Sequence, residues 1–280
     1  MSAQLTNDVS SLSFDLLING QLVAGSRTLD VIDPATAKVF TTCACASEDQ
    51  LEQAITAAKA AFPAWSATPL DKRKEIMLQM AEAIDAEAET LARLLTCEQG
   101  KPIAEALGEV GGVSYFLRHY TNYDLPIEVI EDSELRHIAI HRAPLGVVAA
   151  IVPWNFPLLT AISKICSAMI TGNTMVLKPA PTTPIATLHM GRIFSQIIPP
   201  GVINIVTDQN DLGGLLSSHP DINKVAFTGS TATGSKVMAS ASASLKRVTL
   251  ELGGNDTGIV LDDCDPAVVS EKLFAAAFGN

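Results

Sequence analysis

The sequence predicts an α/β fold, a parallel β-sheet flanked by helices, and three observations carry that reading. Short continuous apolar runs recur in the second half: Val147–Val152, Thr174–Leu177, Val202–Val206, Val225–Phe227, Val248–Leu250 and Ile259–Leu261. Runs of that kind suit strands buried on both faces. Helix-period stretches separate them, as crossover connections between parallel strands require. Finally, 280 residues with 48% hydrophobic and 18% charged side chains can bury a sizeable core. Aromatic residues are only 5%, so that core must be mostly aliphatic.

The elements follow in order. Leu16 to Phe40 alternates and turns often, with Asn19-Gly20 a strong hairpin signal and Asp33-Pro34 a second turn, so the fold starts antiparallel. Cys43 and Cys45, two residues apart in an alternating stretch, share one strand face. Ser47 caps a first helix and Gln50 completes a capping box, with Leu51, Ala54, Ile55, Ala58 and Phe62 on one face. Thr68-Pro69 opens a second helix. Its stripe of Ile76, Met80, Ala83, Ile84, Leu91 and Leu95 runs on to Gly100 and Pro102. A third helix spans roughly Ile103 to Tyr120. Glu128 to Arg142 reads as a strand with one polar face, because His137, Ala139 and His141 alternate with Ile138 and Ile140.

The formal net charge is −11, with no basic footprint, so nucleic acid and acidic membrane surfaces are not expected partners. The first basic residue is Arg27, which leaves the start without a secretory or mitochondrial leader pattern. The longest apolar run, Ala143 to Trp154, contains two prolines and is too short to span a bilayer. The five cysteines, Cys43, Cys45, Cys97, Cys166 and Cys264, are scattered and odd in number, which suits reduced thiols. The reading is a cytoplasmic protein. Two cysteines do not make a zinc site, so no metal is expected.

Ligands of such sheets bind at the carboxyl ends of the strands. Four segments there carry unusual residues: Pro153-Trp154-Asn155-Phe156-Pro157, Lys178-Pro179-Ala180, Phe227 through Gly234 (FTGSTATG), and Leu250 through Asn255 (LELGGN). Singly, each has an ordinary reading: turn packing, a solvated lysine, a helix N-cap and a tight turn. Together, on successive strand ends, they form a specific pattern.

The set PWNFP, KPA, FTGSTATG and ELGGN, in that order and at these intervals, resembles the aldehyde dehydrogenase superfamily. The likeness extends over essentially all of the chain after Leu16, including INGQLVAGS and HRAPLGVV. It implies a Rossmann-like cofactor domain over residues 1–120 and 144–251. It also implies an oligomerisation hairpin over 121–143, with the start of a catalytic domain in 252–280. The activity implied is NAD(P)-dependent oxidation of an aldehyde to a carboxylic acid by a homo-oligomer. By the same resemblance Asn155 donates its amide to a developing oxyanion, and Glu251 is the general base for water, at a flexible position before two glycines. Lys178 bonds the adenosine ribose. Gly229 and Ser230, at a helix N-terminus, meet the pyrophosphate. Val152, Pro153, Trp154, Gly213, Thr233 and Leu252 line the groove, and Gly229 and Gly234 give the G-x-x-x-x-G spacing.

Two departures qualify the likeness. The position three residues after Lys178 is Pro181, where NAD-preferring relatives often carry a glutamate, so NAD is expected and NADP stays open. The family nucleophile, a cysteine downstream of the glutamate in a Gly-Gln-x-Cys-type motif, has no match. Cys264 stands too early and lies among Asp262, Asp263 and Asp265. The expectation is an N-terminal portion, inactive by itself. The alternative is a non-catalytic nucleotide-binding or subunit-interaction module, and the coding sequence beyond codon 280 discriminates between them.

Overall fold

The computed structural model describes Val9 and residues 12–280; the start of the expected 1–120 span (residues 1–8, Ser10 and Ser11) lies outside the described residues. Asn19 and Gly20, with φ of 52° and 74°, make the expected turn between β1 (Leu16–Ile18) and β2 (Gln21–Val23). Positive φ at both central residues matches the twist of paired strands. β3 (Arg27–Asp33) and β4 (Lys38–Cys45) form a separate antiparallel pair, and Asp33 closes their turn by accepting from Ala35 N–H and the Thr36 hydroxyl. Cys43 and Cys45 are both buried on β4.

α1 (Glu48–Ser66) starts with the expected reciprocal Ser47–Gln50 capping box. α2 (Leu70–Ala86) opens directly after Thr68-Pro69, as expected, and no side chain caps it. The long apolar stripe then belongs to two helices, because Glu87 (φ −106°, ψ 15°) breaks the chain before α3 (Ala88–Gln99). Ile84 and Leu91 are both buried on either side of the break. They are seven residues apart, close to two helical turns, so periodicity alone does not register the bend. α4 (Ile103–Tyr120) has the expected bounds. Glu128–Arg142, which alternation alone reads as one strand and the resemblance as part of a hairpin, folds as a hairpin of β5 (Glu128–Asp132) and β6 (His137–Ile140). Ser133 makes the corner, its N–H donating to Arg136 carbonyl and its hydroxyl accepting from Arg136 N–H.

The rest is a doubly wound α/β core: β7 (Val147–Ile151), α5 (Pro157–Ile170), β8 (Thr174–Lys178), α6 (Ile185–Phe194), β9 (Ile203–Ile205), α7 (Gly213–Ser218), β10 (Lys224–Gly229), α8 (Thr231–Ser242) and β11 (Arg247–Leu252). The sheet order is β11-β10-β7-β8-β9-β1-β2. Strands β7 to β11 pair parallel, and β1 adds antiparallel to β9. Val148, Ala150 and Val152 join the core under α2–α6, whereas Val147, Ala149 and Ile151 join the core under α1, α7 and α8. That alternation buries both faces and explains why the strand reads as one apolar run. The chain winds β7-β8-β9 in one direction and then crosses to β10 on the other side of β7, placing a topological switch point between β7 and β10.

Ile259–Leu261 is not a strand; the run pairs with nothing among the described residues, and all three side chains are exposed. α9 (Pro266–Phe278) buries none of its side chains, and Phe274 and Phe278 lie exposed with their rings tilted and centroids 5.0 Å apart. Contiguous apolar surface of this sort drives association. The chain should therefore self-associate at micromolar concentration, read by light scattering. A monodisperse monomer that binds no apolar dye would contradict this.

Candidate functional site

The carboxyl ends of β7, β8, β10 and β11 bring the marked segments to one edge. Register aligns Ile151 with Lys178 and with Phe227, Thr228 with Glu251, and Gly229 with Leu252. Val152 is buried, Pro153 is half-buried, and Trp154 and Asn155 are exposed in the turn before α5. Glu251 lies inside β11, in ladder register with Thr228. The flexible position expected before Gly253 is thus a strand position, because the parallel ladder extends to Leu252.

A buried device supports the Asn155 turn. Phe156 provides no side-chain cap to α5. Glu109 of α4 does so instead, its Oε1 accepting from Leu158 N–H at 2.9 Å and Leu159 N–H at 3.1 Å. Its Oε2 lies 2.5 Å from Lys101 Nζ, and both side chains are essentially inaccessible. Lys101 also donates to the Asn155 carbonyl at 3.1 Å and sits 4.1 Å over the Phe156 ring. The carbonyl also accepts from the Asn280 side chain at 3.2 Å. A second glutamate repeats the pattern: Glu98 of α3 accepts from Ile185 and Ala186 N–H at the start of α6, just beyond Pro181.

Lys178, read from sequence as a lysine at a strand end, is buried and ion-paired, its Nζ 2.7 Å from Asp208 Oδ1. Asp208 is fully buried, and its Oδ2 accepts from Leu212 N–H at 2.9 Å. Gly213 follows, and a Cβ there would lie 3.6 Å from Lys178 Cε. On the other side of the switch point Ser230 caps α8, its hydroxyl oxygen accepting from Thr233 N–H at 3.2 Å. The first-turn N–H groups of Thr231 and Ala232 have no intrahelical acceptor. Gly229 and Gly234 are close-approach positions: a Cβ would come within 2.6 Å of the Phe227 ring and 2.5 Å of Leu252.

Lys164 of α5 joins the two halves. It is buried and donates to Thr228 Oγ1 at 2.8 Å, beside Glu251 in the ladder. Burial pushes its ammonium down to about 8, opposed by the Glu251 carboxylate. Burial pushes the thiols of Cys43, Cys45, Cys97 and Cys166 up, the direction that disfavours thiolate, and supports reading them as core residues.

The structure thus gathers Asn155, Lys178, Gly213, Gly229, Ser230, Glu251 and Leu252 around the switch point. It adds Lys101, Glu109, Lys164 and Asp208, which sequence reasoning missed. A signal existed for one of them. Glu109 falls on the apolar stripe of Ala106, Val110, Val113 and Leu117, all buried, and a charge on a core-facing stripe implies a buried partner.

The profile of the aldehyde dehydrogenase family matches residues 22–280. Phenylacetaldehyde dehydrogenase of Pseudomonas fluorescens is 39% identical over 285 residues, covering 96% of this chain and 57% of that protein. An aldehyde dehydrogenase of Bacillus cereus solved with NAD+ superposes with a TM-score of 0.92 at 33% identity, covering 96% of this chain and 57% of that one. An NADP-dependent enzyme of E. coli gives a TM-score of 0.92 at 34% identity, covering 97% and 58%. The chain spans a little over half the length of these relatives. By its motifs, its fold and these likenesses, the chain belongs to the aldehyde dehydrogenase family.

Proposed function

We propose that this chain supplies the dinucleotide-binding part, and two catalytic groups, of an NAD(P)-dependent enzyme that oxidises an aldehyde to a carboxylic acid. The observation that carries the reading is the meeting of Asn155, Lys178, the α8 N-terminus and Glu251 at one switch point. The glycines fit a dinucleotide: side chains at 229 and 234 would press on the Phe227 ring and on Leu252 at the edge along which it would lie. The α8 N-terminus offers free N–H groups and the positive end of a helix dipole to pyrophosphate. Lys178 offers a donor to ribose. Val152, Pro153, Trp154, Thr233 and Leu252 line the groove, and Pro181 lies beside its ribose end.

A bound dinucleotide would supply hydride-acceptor chemistry at its nicotinamide. Asn155 would aim its amide at the developing oxyanion, held by a turn fixed from below. Glu251 would take a proton from the attacking water. The thiol nucleophile is not assigned within this chain. On the same reading, residues 1–120 and 144–251 form the cofactor domain and 252–280 begin the catalytic one. The hairpin in 121–143, with Val129, Ile130, Ile138 and Ile140 exposed, would pair subunits of a homo-oligomer. Buried free thiols suit a cytoplasmic setting.

The test is NAD binding by the folded chain, followed by calorimetry. Lys178→Ala alone would strand Asp208 in the interior, so the informative variant is Lys178→Met with Asp208→Asn. Loss of a hydrogen bond to a charged donor should weaken NAD about ten- to a hundredfold. Lys236→Ala, exposed on α8, should change nothing. Equal affinity in all three proteins would remove Lys178 from the site.

A further inference from the structure

We propose that Asp208 makes the ribose end of the groove selective for NAD over NADP, by holding the Lys178 ammonium in a buried ion pair. The inference deepens the dinucleotide reading and rests on it. A proline at position 181 contributes no charge, so sequence left the two cofactors undivided. The structure supplies a carboxylate from the neighbouring strand end instead. Asp208 Oδ1 is 2.7 Å from Lys178 Nζ, and Oδ2 is fixed by Leu212 N–H at the entrance of α7. With both oxygens engaged and the side chain fully buried, the carboxylate cannot swing away from the ammonium.

The pair is neutral as a unit. Its ammonium keeps donors for a ribose hydroxyl, which asks only for a hydrogen bond. A 2′-phosphate asks for uncompensated positive charge, and here it would meet a lysine already matched by a fixed anion. The other cation at this loop gives no relief, because Arg27 pairs with Asp211 at 2.9 Å. Asp208 and Asp211 thus balance Lys178 and Arg27. A dianion brought to this end gains little attraction and faces a buried negative charge in a medium that screens poorly.

Calorimetric titration of the folded chain with NAD and with NADP, at one ionic strength, tests this. NAD should bind at least about tenfold more tightly than NADP. Asp208→Asn keeps an acceptor for Leu212 N–H while freeing the lysine charge, and should raise NADP affinity relative to NAD at least about tenfold. The double variant Lys178→Met, Asp208→Asn should lose NAD affinity without that gain for NADP. Equal affinities in the unaltered chain, or an unchanged ratio in folded Asp208→Asn, would overturn the role of Asp208 while leaving the dinucleotide site standing. Binding of neither cofactor to the folded chain would remove the site itself and the inference with it. Should Asp208→Asn fail to melt cooperatively, the NAD to NADP ratio of the unaltered chain decides alone.

Discussion

Replacing Lys101 by methionine should lower the unfolding free energy by about 3–5 kcal/mol, the range for breaking a buried ion pair from one side. Methionine keeps the length of the aliphatic stem, so the loss is not one of volume. What remains is a Glu109 carboxylate, inaccessible to water and 2.5 Å from where its counter-charge stood. The carboxylate cannot escape by turning outward, because its other oxygen holds Leu158 and Leu159 N–H at the start of α5. The damage should therefore spread to that helix start and to the Asn155 turn, which loses the Lys101 donor to its carbonyl. Adding Glu109→Gln removes the stranded charge and keeps an oxygen for the α5 cap. The double variant should recover at least half of the loss, since a neutral pair avoids most of the desolvation cost. Urea denaturation of the three proteins reads this directly. A loss below about 1 kcal/mol for Lys101→Met would show that the pair is not held as the structure has it.

Stability should also fall as pH rises from about 4.5 to about 8, through Glu98. Burial pushes this carboxyl up to about 8, against the pull of two backbone N–H groups from Ala186 and Ile185 and with the Glu109 charge adding to the rise. In the unfolded chain the same group ionises near 4.5. Between those values the folded protein holds one proton more than the unfolded one. The contribution is thus complete below about pH 4.5 and is lost progressively toward pH 8, at about 1.4 kcal/mol per pH unit. Glu98→Gln carries no titrating proton and should remove this slope while keeping an acceptor for the α6 start. Stability measured at half-unit steps from pH 5 to 8, wild type minus Glu98→Gln, isolates the effect. A difference that stays flat or climbs with pH would mean that the two N–H donors outweigh burial and keep Glu98 ionised.

Much of this molecule follows from local chemistry. The Ser47–Gln50 box and the Asn19-Gly20 turn act within a few residues, so the side chains that make them are adjacent in sequence as well as in space. Strands β7, β8 and β9 and the Val225–Phe227 run of β10 carry their double-faced burial in their own composition, whereas the expected buried run Val248–Leu250 lies on edge strand β11 with no side chain fully buried; the bounds of α4 are carried in its stripe. The four motifs at strand ends could be found for the same reason: each is a short contiguous word at a place where parallel sheets bind ligands. Tertiary structure decided the rest. Whether Ile259–Leu261 becomes a strand depends on a neighbour with free ladder groups, which no local pattern encodes. The bend at Glu87 leaves the apolar stripe in phase and so leaves no mark in it. Above all, several partners of the buried charges are remote in sequence, although Lys101 and Glu109 are only 8 residues apart. Lys178 meets Asp208 30 residues away, Lys164 meets Thr228 at 64, and Lys101 meets Asn155 at 54. A side chain's type states that its charge needs a partner when buried; only the packing of α3, α4 and α5 against the sheet determines which partner it finds, because that pairing is fixed by geometry between elements and not by order along the chain.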